Sequence, residues 1–144
     1  MGASTVMYLA DKVIPPNVCG LIADCGYTSP KSIITSVFRK ATHLPGTVAI
    51  WAAGFYSRIF AGFGLSQMDS RKTLMKCHTP ILMIHGTADT FVPCEMTKQG
   101  YDACMSKKQL LLVEGAGHGV SFMVDRGKYT QALCSFVEFC LRGE

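Results

Sequence analysis

The chain has 144 residues, room for one domain with a real core and too few for two ordinary ones. Hydrophobic residues make up 49% and charged residues 17%, so the chain has much to bury. Its 14 basic residues exceed the 10 acidic ones by four, but Arg71, Lys72, Lys76, Lys107 and Lys108 are scattered without aromatic interleaving, which argues against a nucleic-acid surface. The seven cysteines are odd in number, lie mostly in apolar runs and include no C-x-x-C pair. That pattern points to reduced thiols in a cytoplasm and against a structural zinc site. Met1 to Ala10 lacks the basic start and cleavage pattern of a signal peptide, although a targeting segment upstream of Met1 would change the cytoplasmic expectation.

The elements follow in chain order. Val6, Met7, Leu9 and Ala10 predict a short helix, ended by Pro15-Pro16. Val18 to Ala23 is a continuous apolar run, as in a strand buried on both faces. Thr28-Ser29-Pro30 signals a helix start, and Ile33, Ile34, Val37 and Phe38 keep helical spacing. From Leu44 to Leu65 the chain is apolar and aromatic, but Arg58 and four glycines interrupt it, which favours a lid or buried helix over a membrane span. Asp69 to Lys76 predicts a short helix or turn.

Pro80 to Ile84 is a second buried strand, followed by a helix from Cys94 to about Cys104 with Pro93 at its first turn. Leu110 to Val113 is a third strand, and Tyr129 to Leu141 closes the chain as an amphipathic helix whose apolar face is Ala132, Leu133, Phe136, Val137 and Cys140. Three strand-then-helix units imply an α/β fold, a parallel sheet covered on both sides.

In such sheets the working residues sit beyond the carboxyl ends of the strands. Asp24, Asp89 and His118 all stand there. Glycine on both sides lets His118 project into a cleft as a general base, and Asp89, after the preceding strand, can fix its tautomer and stabilise the imidazolium. Asp24 is the rival acid. His85, at the end of a buried strand, reads as a hydrogen-bonded structural residue, Cys25 as a buried structural thiol, and Ser4 as a residue that packs or caps.

The order of acid and then histidine on the last two strands resembles the α/β-hydrolase superfamily. The resemblance covers essentially the whole chain and is carried by Met1-Gly2-Ala3-Ser4-Thr5-Val6, Ile22 to Ser29, Ile84-His85-Gly86-Thr87-Ala88-Asp89-Thr90-Phe91-Val92-Pro93 and Gly115-Ala116-Gly117-His118. These segments look like the bacterial serine aminopeptidase or prolyl-oligopeptidase-like α/β-hydrolases. Met1-Gly2-Ala3 resembles the text just after the serine of a G-x-S-x-G nucleophile elbow.

The resemblance therefore implies that residues 1–144 are the C-terminal part of a single α/β-hydrolase domain truncated just after the nucleophile serine, with parallel strands, flanking helices and a lid or cap at 44–65. It implies that His118 is the base, Asp89 its acid and the Met1 backbone N–H an oxyanion-hole donor, with Tyr27, Trp51, Phe55 and Phe91 as candidate substrate-pocket residues. The implied substrate is a small-molecule ester or amide cleaved through an acyl-enzyme, with no cofactor, no metal and no activity without the nucleophile. The alternative is a non-catalytic half-hydrolase that binds a ligand or partner, its first strand forming an apolar edge open to self-association.

Overall fold

Pro80 aside, the residues from Ile81 to Gly86 have no polar side chain but one, and a strand of that kind is stable only where both faces are covered. The structure, a computed structural model, describes residues 1–12 and 14–142. Three parallel strands, β1 (Leu21–Asp24), β2 (Ile81–Gly86) and β3 (Lys108–Val113), pair in the order β1-β2-β3, with Leu21 opposite Ile81 and Ile81 opposite Lys108. The helices are α1 (Gly2–Tyr8), α2 (Pro30–Thr42), α3 (Thr47–Phe60), α4 (Ser70–Leu74), α5 (Cys94–Ala103), α6 (Ser121–Val124) and α7 (Arg126–Arg142), with a 3-10 turn at Leu65–Gln67.

Every residue of β2 is buried, and successive side chains divide between the two faces as strand geometry requires. Ile81 and Met83 join Met7, Ala10, Leu74 and Cys104 in one cluster, beneath α1, α4 and α5. Leu82 and Ile84 pack with Phe136 in the other, beneath α7. Two side chains tie α1 into the first layer. The Thr73 hydroxyl donates to the Met7 carbonyl at 2.7 Å, and the backbone N–H of Tyr27 donates to Ser4 Oγ at 2.8 Å.

The structure departs from the sequence expectations at several points. The first strand spans Leu21–Asp24, not Val18 to Ala23, because the Val18 N–H closes a turn onto the Pro15 carbonyl and ladder bonding begins only with Leu21 N–H to Pro80. It pairs with β2 on one side only, and Ile22 is 41% exposed, so it is not buried on both faces. The predicted lid region forms α3, but no residue of that helix is buried: it packs on α2 and the 3-10 turn and not on the sheet. The third strand starts two residues early, at Lys108, and the last helix starts at Arg126. Val137 falls outside its apolar face and is exposed, while Phe136 alone in that helix is fully buried.

The turn after β2 depends on Gly86. A Cβ there would stand 2.2 Å from the Ala116 carbonyl oxygen, a contact only glycine avoids. Substituting Gly86→Ala should cost about 1–3 kcal/mol through forced overpacking, read as a lower urea midpoint at constant slope. Gly54→Ala is the control, because a Cβ at Gly54 meets nothing within 4 Å and alanine suits a helix interior better.

Candidate active site

The loops that follow β2 and β3 are lashed together by their backbones. Thr87 N–H donates to Val113 O at 3.0 Å, Ala88 N–H to Ala116 O at 3.0 Å, and Gly115 N–H to Thr87 Oγ1 at 3.0 Å. Gly119 has a φ of +69°, a conformation that suits glycine, and its turn presents His118 to the surface.

On this frame His118 Nδ1 lies 2.7 Å from Asp89 Oδ2. The Asp89 side chain has no exposed surface, whereas that of His118 is 42% exposed. Asp89 Oδ1 accepts the backbone N–H groups of Phe91 at 2.8 Å and Val92 at 2.9 Å, and Oδ2 also lies 3.1 Å from His85 Nε2. Burial pushes the Asp89 carboxyl up, but the His118 hydrogen bond and the two amides outweigh it and hold the group below its ordinary value. An ionised carboxylate accepts the proton on His118 Nδ1, and in the neutral imidazole that tautomer makes Nε2 the proton acceptor. Phe91 meets the imidazole edge to face, with ring centroids 5.2 Å apart.

Asp24, the rival acid, is engaged elsewhere: its Oδ2 accepts the Tyr129 hydroxyl at 2.9 Å. Burial and this carboxylate push the Tyr129 hydroxyl up to about 12, so it remains a donor. The structure thus joins His118 to Asp89 and not to Asp24. His85 is fully buried, with Nδ1 2.6 Å from Thr97 Oγ1 and Nε2 3.0 Å from the Val92 carbonyl, and Thr97 donates onward to Gly26 O at 3.0 Å. Thr97 and Tyr129 carry this scaffold without any local sequence signal. Each is an ordinary helix residue whose importance lies in a distant partner.

Donor atoms of Cys25, His85 and Asp89 lie within 4.8 Å of one another, so their fitness for a metal can be judged from their chemistry. Both His85 nitrogens and both Asp89 oxygens are already hydrogen-bonded. Burial, partly offset by the Gly119 N–H, pushes the Cys25 thiol up to about 11, so it is a neutral thiol and not the thiolate a metal needs. The cluster reads as a hydrogen-bonded support. Cys25 itself holds a left-handed φ of 55° and its Sγ accepts the Gly119 N–H at 3.3 Å, which anchors the histidine loop to the end of β1.

Met1 is the exposed N-cap of α1, and Ser4 is buried under Tyr27. The four candidate pocket residues lie in three separate places. Tyr27 borders a small cleft with Met1, Ser4 and Tyr8, while Trp51 and Phe55 line a separate groove of about 540 Å³ with Lys31, Arg58 and Gln67. Phe91 lies against His118. The reason is the placement of α3 away from the sheet, which carries its aromatic residues with it.

The family model described as Serine hydrolase (FSH1) matches residues 21–122, a span that contains Asp89 and His118. Among curated proteins the chain is similar to the Uncharacterized protein YqkD of Bacillus subtilis (strain 168), with 23% identity over 138 residues that cover 96% of this chain and 45% of that protein. Among solved structures it is similar to the Pyrococcus furiosus esterase Pf2001, with a TM-score of 0.68 and 18% identity, covering 98% of this chain and 51% of that one. It is similar also to the Paleococcus ferrophilus monoacylglycerol lipase, with a TM-score of 0.67 and 16% identity, covering 99% of this chain and 65% of the lipase. The fold is that of the α/β-hydrolases, and the chain spans about half the length of these relatives.

Two outcomes follow from the site's electrostatics. Because the folded Asp89 carboxyl sits below its unfolded value of about 3.9, its contribution is fully present above that pH and is lost as pH falls through the folded value. Asp89→Asn should therefore lower stability at neutral pH by about 1–3 kcal/mol and flatten the acid limb of a pH series of urea melts. In the native chain at neutral pH, iodoacetamide should label the exposed Cys19 and Cys134 and spare Cys25 until the protein is unfolded, as read by peptide mass spectrometry.

Proposed function

This chain belongs to the serine hydrolase family described as FSH1, and on that premise we propose that it carries the acid and base of a serine-type acyl transfer acting on an ester or amide. The observation that carries the reading is the 2.7 Å contact from His118 Nδ1 to the buried Asp89 carboxylate, with Nε2 left free. In this reading Nε2 takes the proton of an attacking hydroxyl as its oxygen bonds to the substrate carbonyl carbon. The same proton then goes to the departing alcohol or amine as the carbonyl–heteroatom bond breaks, leaving an acyl-enzyme. Water, deprotonated by the same nitrogen, releases the acid. Asp89 stays ionised throughout and stabilises the imidazolium.

The nucleophile belongs, in this reading, at the residue position directly before Met1, where a strand would turn into α1. The Met1 N–H, then an amide, would donate to the oxyanion. Residues 44–65 would form a cap, and the Lys40 ammonium donates to the Thr90 carbonyl, which ties α2 to the loop that holds the acid. Esterase chemistry is favoured by the likeness to solved proteins described as an esterase and a monoacylglycerol lipase.

The test is hydrolysis of a p-nitrophenyl ester. Carried in a polypeptide that supplies a Gly-x-Ser strand directly before Met1, the chain should turn over, and His118→Ala should cost on the order of 10⁶ in kcat. Residues 1–144 alone should show neither burst nor turnover. Unchanged activity after His118→Ala would overturn the base, and robust turnover by residues 1–144 would overturn the position given to the nucleophile.

A further inference from the structure

Between Asp24 and Asp69 the chain has no acidic residue at all. It has four basic ones, Lys31, Arg39, Lys40 and Arg58, and each is exposed. Elsewhere the remaining ten basic residues are matched by ten acidic ones, so the whole net charge of +4 resides on this segment. The same segment folds into α2 and α3, which pack on each other, and α3 turns its large side chains outward. Val48, Trp51, Phe55 and Ile59 fall at i, i+3, i+7 and i+11 on one stripe, with Tyr56 and Phe60 beside it. Trp51 is 74% exposed and Phe60 78%. Trp51 stacks on Phe55 at 6.0 Å and Tyr56 on Phe60 at 5.6 Å, so the aromatic surface is continuous.

From these observations we propose that the α2–α3 cap docks on the surface of anionic phospholipid bilayers. An apolar stripe of this size does not stay in water without a reason. Tryptophan, tyrosine and phenylalanine beside lysine and arginine, with no acid to repel the surface, is the chemistry that lies in the headgroup layer of a negatively charged membrane. Among the described residues no single helix is long and apolar enough to cross a bilayer, and α3 meets that measure only together with Leu65–Leu74, at a bend of 91°; the proposal therefore places the cap on the surface. Because α3 has no buried residue, its insertion breaks nothing in the sheet. The contact from Lys40 to Thr90 links α2, on which α3 packs, to the loop of Asp89.

Trp51 is the single tryptophan of the chain and reports the docking directly. The 144-residue chain is mixed with unilamellar vesicles of phosphatidylcholine alone or of equal parts phosphatidylcholine and phosphatidylglycerol. Trp51 emission should shift to the blue, and be quenched by brominated acyl chains, only with the anionic vesicles. Raising salt from about 0.1 M to about 1 M, which shortens the screening length from about 10 Å to about 3 Å, should reverse the shift. The double variant Lys31→Glu, Arg58→Glu should weaken binding on the order of a hundredfold with an unchanged circular dichroism spectrum.

No spectral change with anionic vesicles overturns the proposal, as does equal binding to neutral ones. A blue emission already present in buffer and growing with protein concentration would assign the face to a second copy of the chain and overturn it too. None of these readouts involves His118, so the docking surface and the acyl-transfer reading stand or fall separately.

Discussion

A carboxylate stripped of water must be given hydrogen bonds by the protein or it will not stay charged, and Asp89 is such a group. Two backbone amides donate to Oδ1 and the His118 imidazole meets Oδ2, with His85 Nε2 3.1 Å from the latter. Supplying them dictates much of the molecule's carboxyl-end architecture. His85 must end β2 with its ring held by Thr97 and by the Val92 carbonyl, and Thr97 must in turn face Gly26 after β1. The chain must double back within three residues of Gly86 to bring Phe91 and Val92 over the same oxygen. One charge thereby ties together the ends of all three strands.

That arrangement rests on a strand with two inner faces. Each of Ile81, Leu82, Met83 and Ile84 is fully buried, and burying side chains of this kind stabilises by about 1.5–3 kcal/mol each relative to leaving them in water. Odd positions draw in Met7 from α1 and Leu74 from α4, and even positions draw in Phe136 from α7. The N-terminal helix is thus no appendage. Met7 has no exposed surface and presses on Gly100 of α5, where a Cβ would meet its terminal methyl at 2.8 Å.

How much was legible depended on whether the physics was local. β2 was legible because burial on both faces forces an unbroken apolar run, and the pairing of His118 with Asp89 was legible because parallel strands deliver their ends to one edge. The choice between Asp89 and Asp24 could be ranked but not made, since it turns on Tyr129, a hydrogen-bond partner 105 residues from Asp24. The region from Leu44 to Leu65 was legible as apolar and as helical. Its exposure was not, because composition reports what a residue would prefer to bury and not whether a neighbour exists to cover it. Trp51 and Phe55 were drawn toward Asp89 and His118 on the same assumption, whereas α3 carries them to a groove of their own.

The two apolar clusters share β2, so neither can loosen without the other, and the sheet with α1, α4, α5 and α7 forms one cooperative body. The α2–α3 hairpin belongs to neither cluster. The free energy that keeps it closed is set by its own contacts with the 3-10 turn and by the link from Lys40 to Thr90, and not by the stability of the whole. Opening the hairpin is therefore a sub-global event with its own equilibrium constant, and changes to the sheet core will leave that constant untouched.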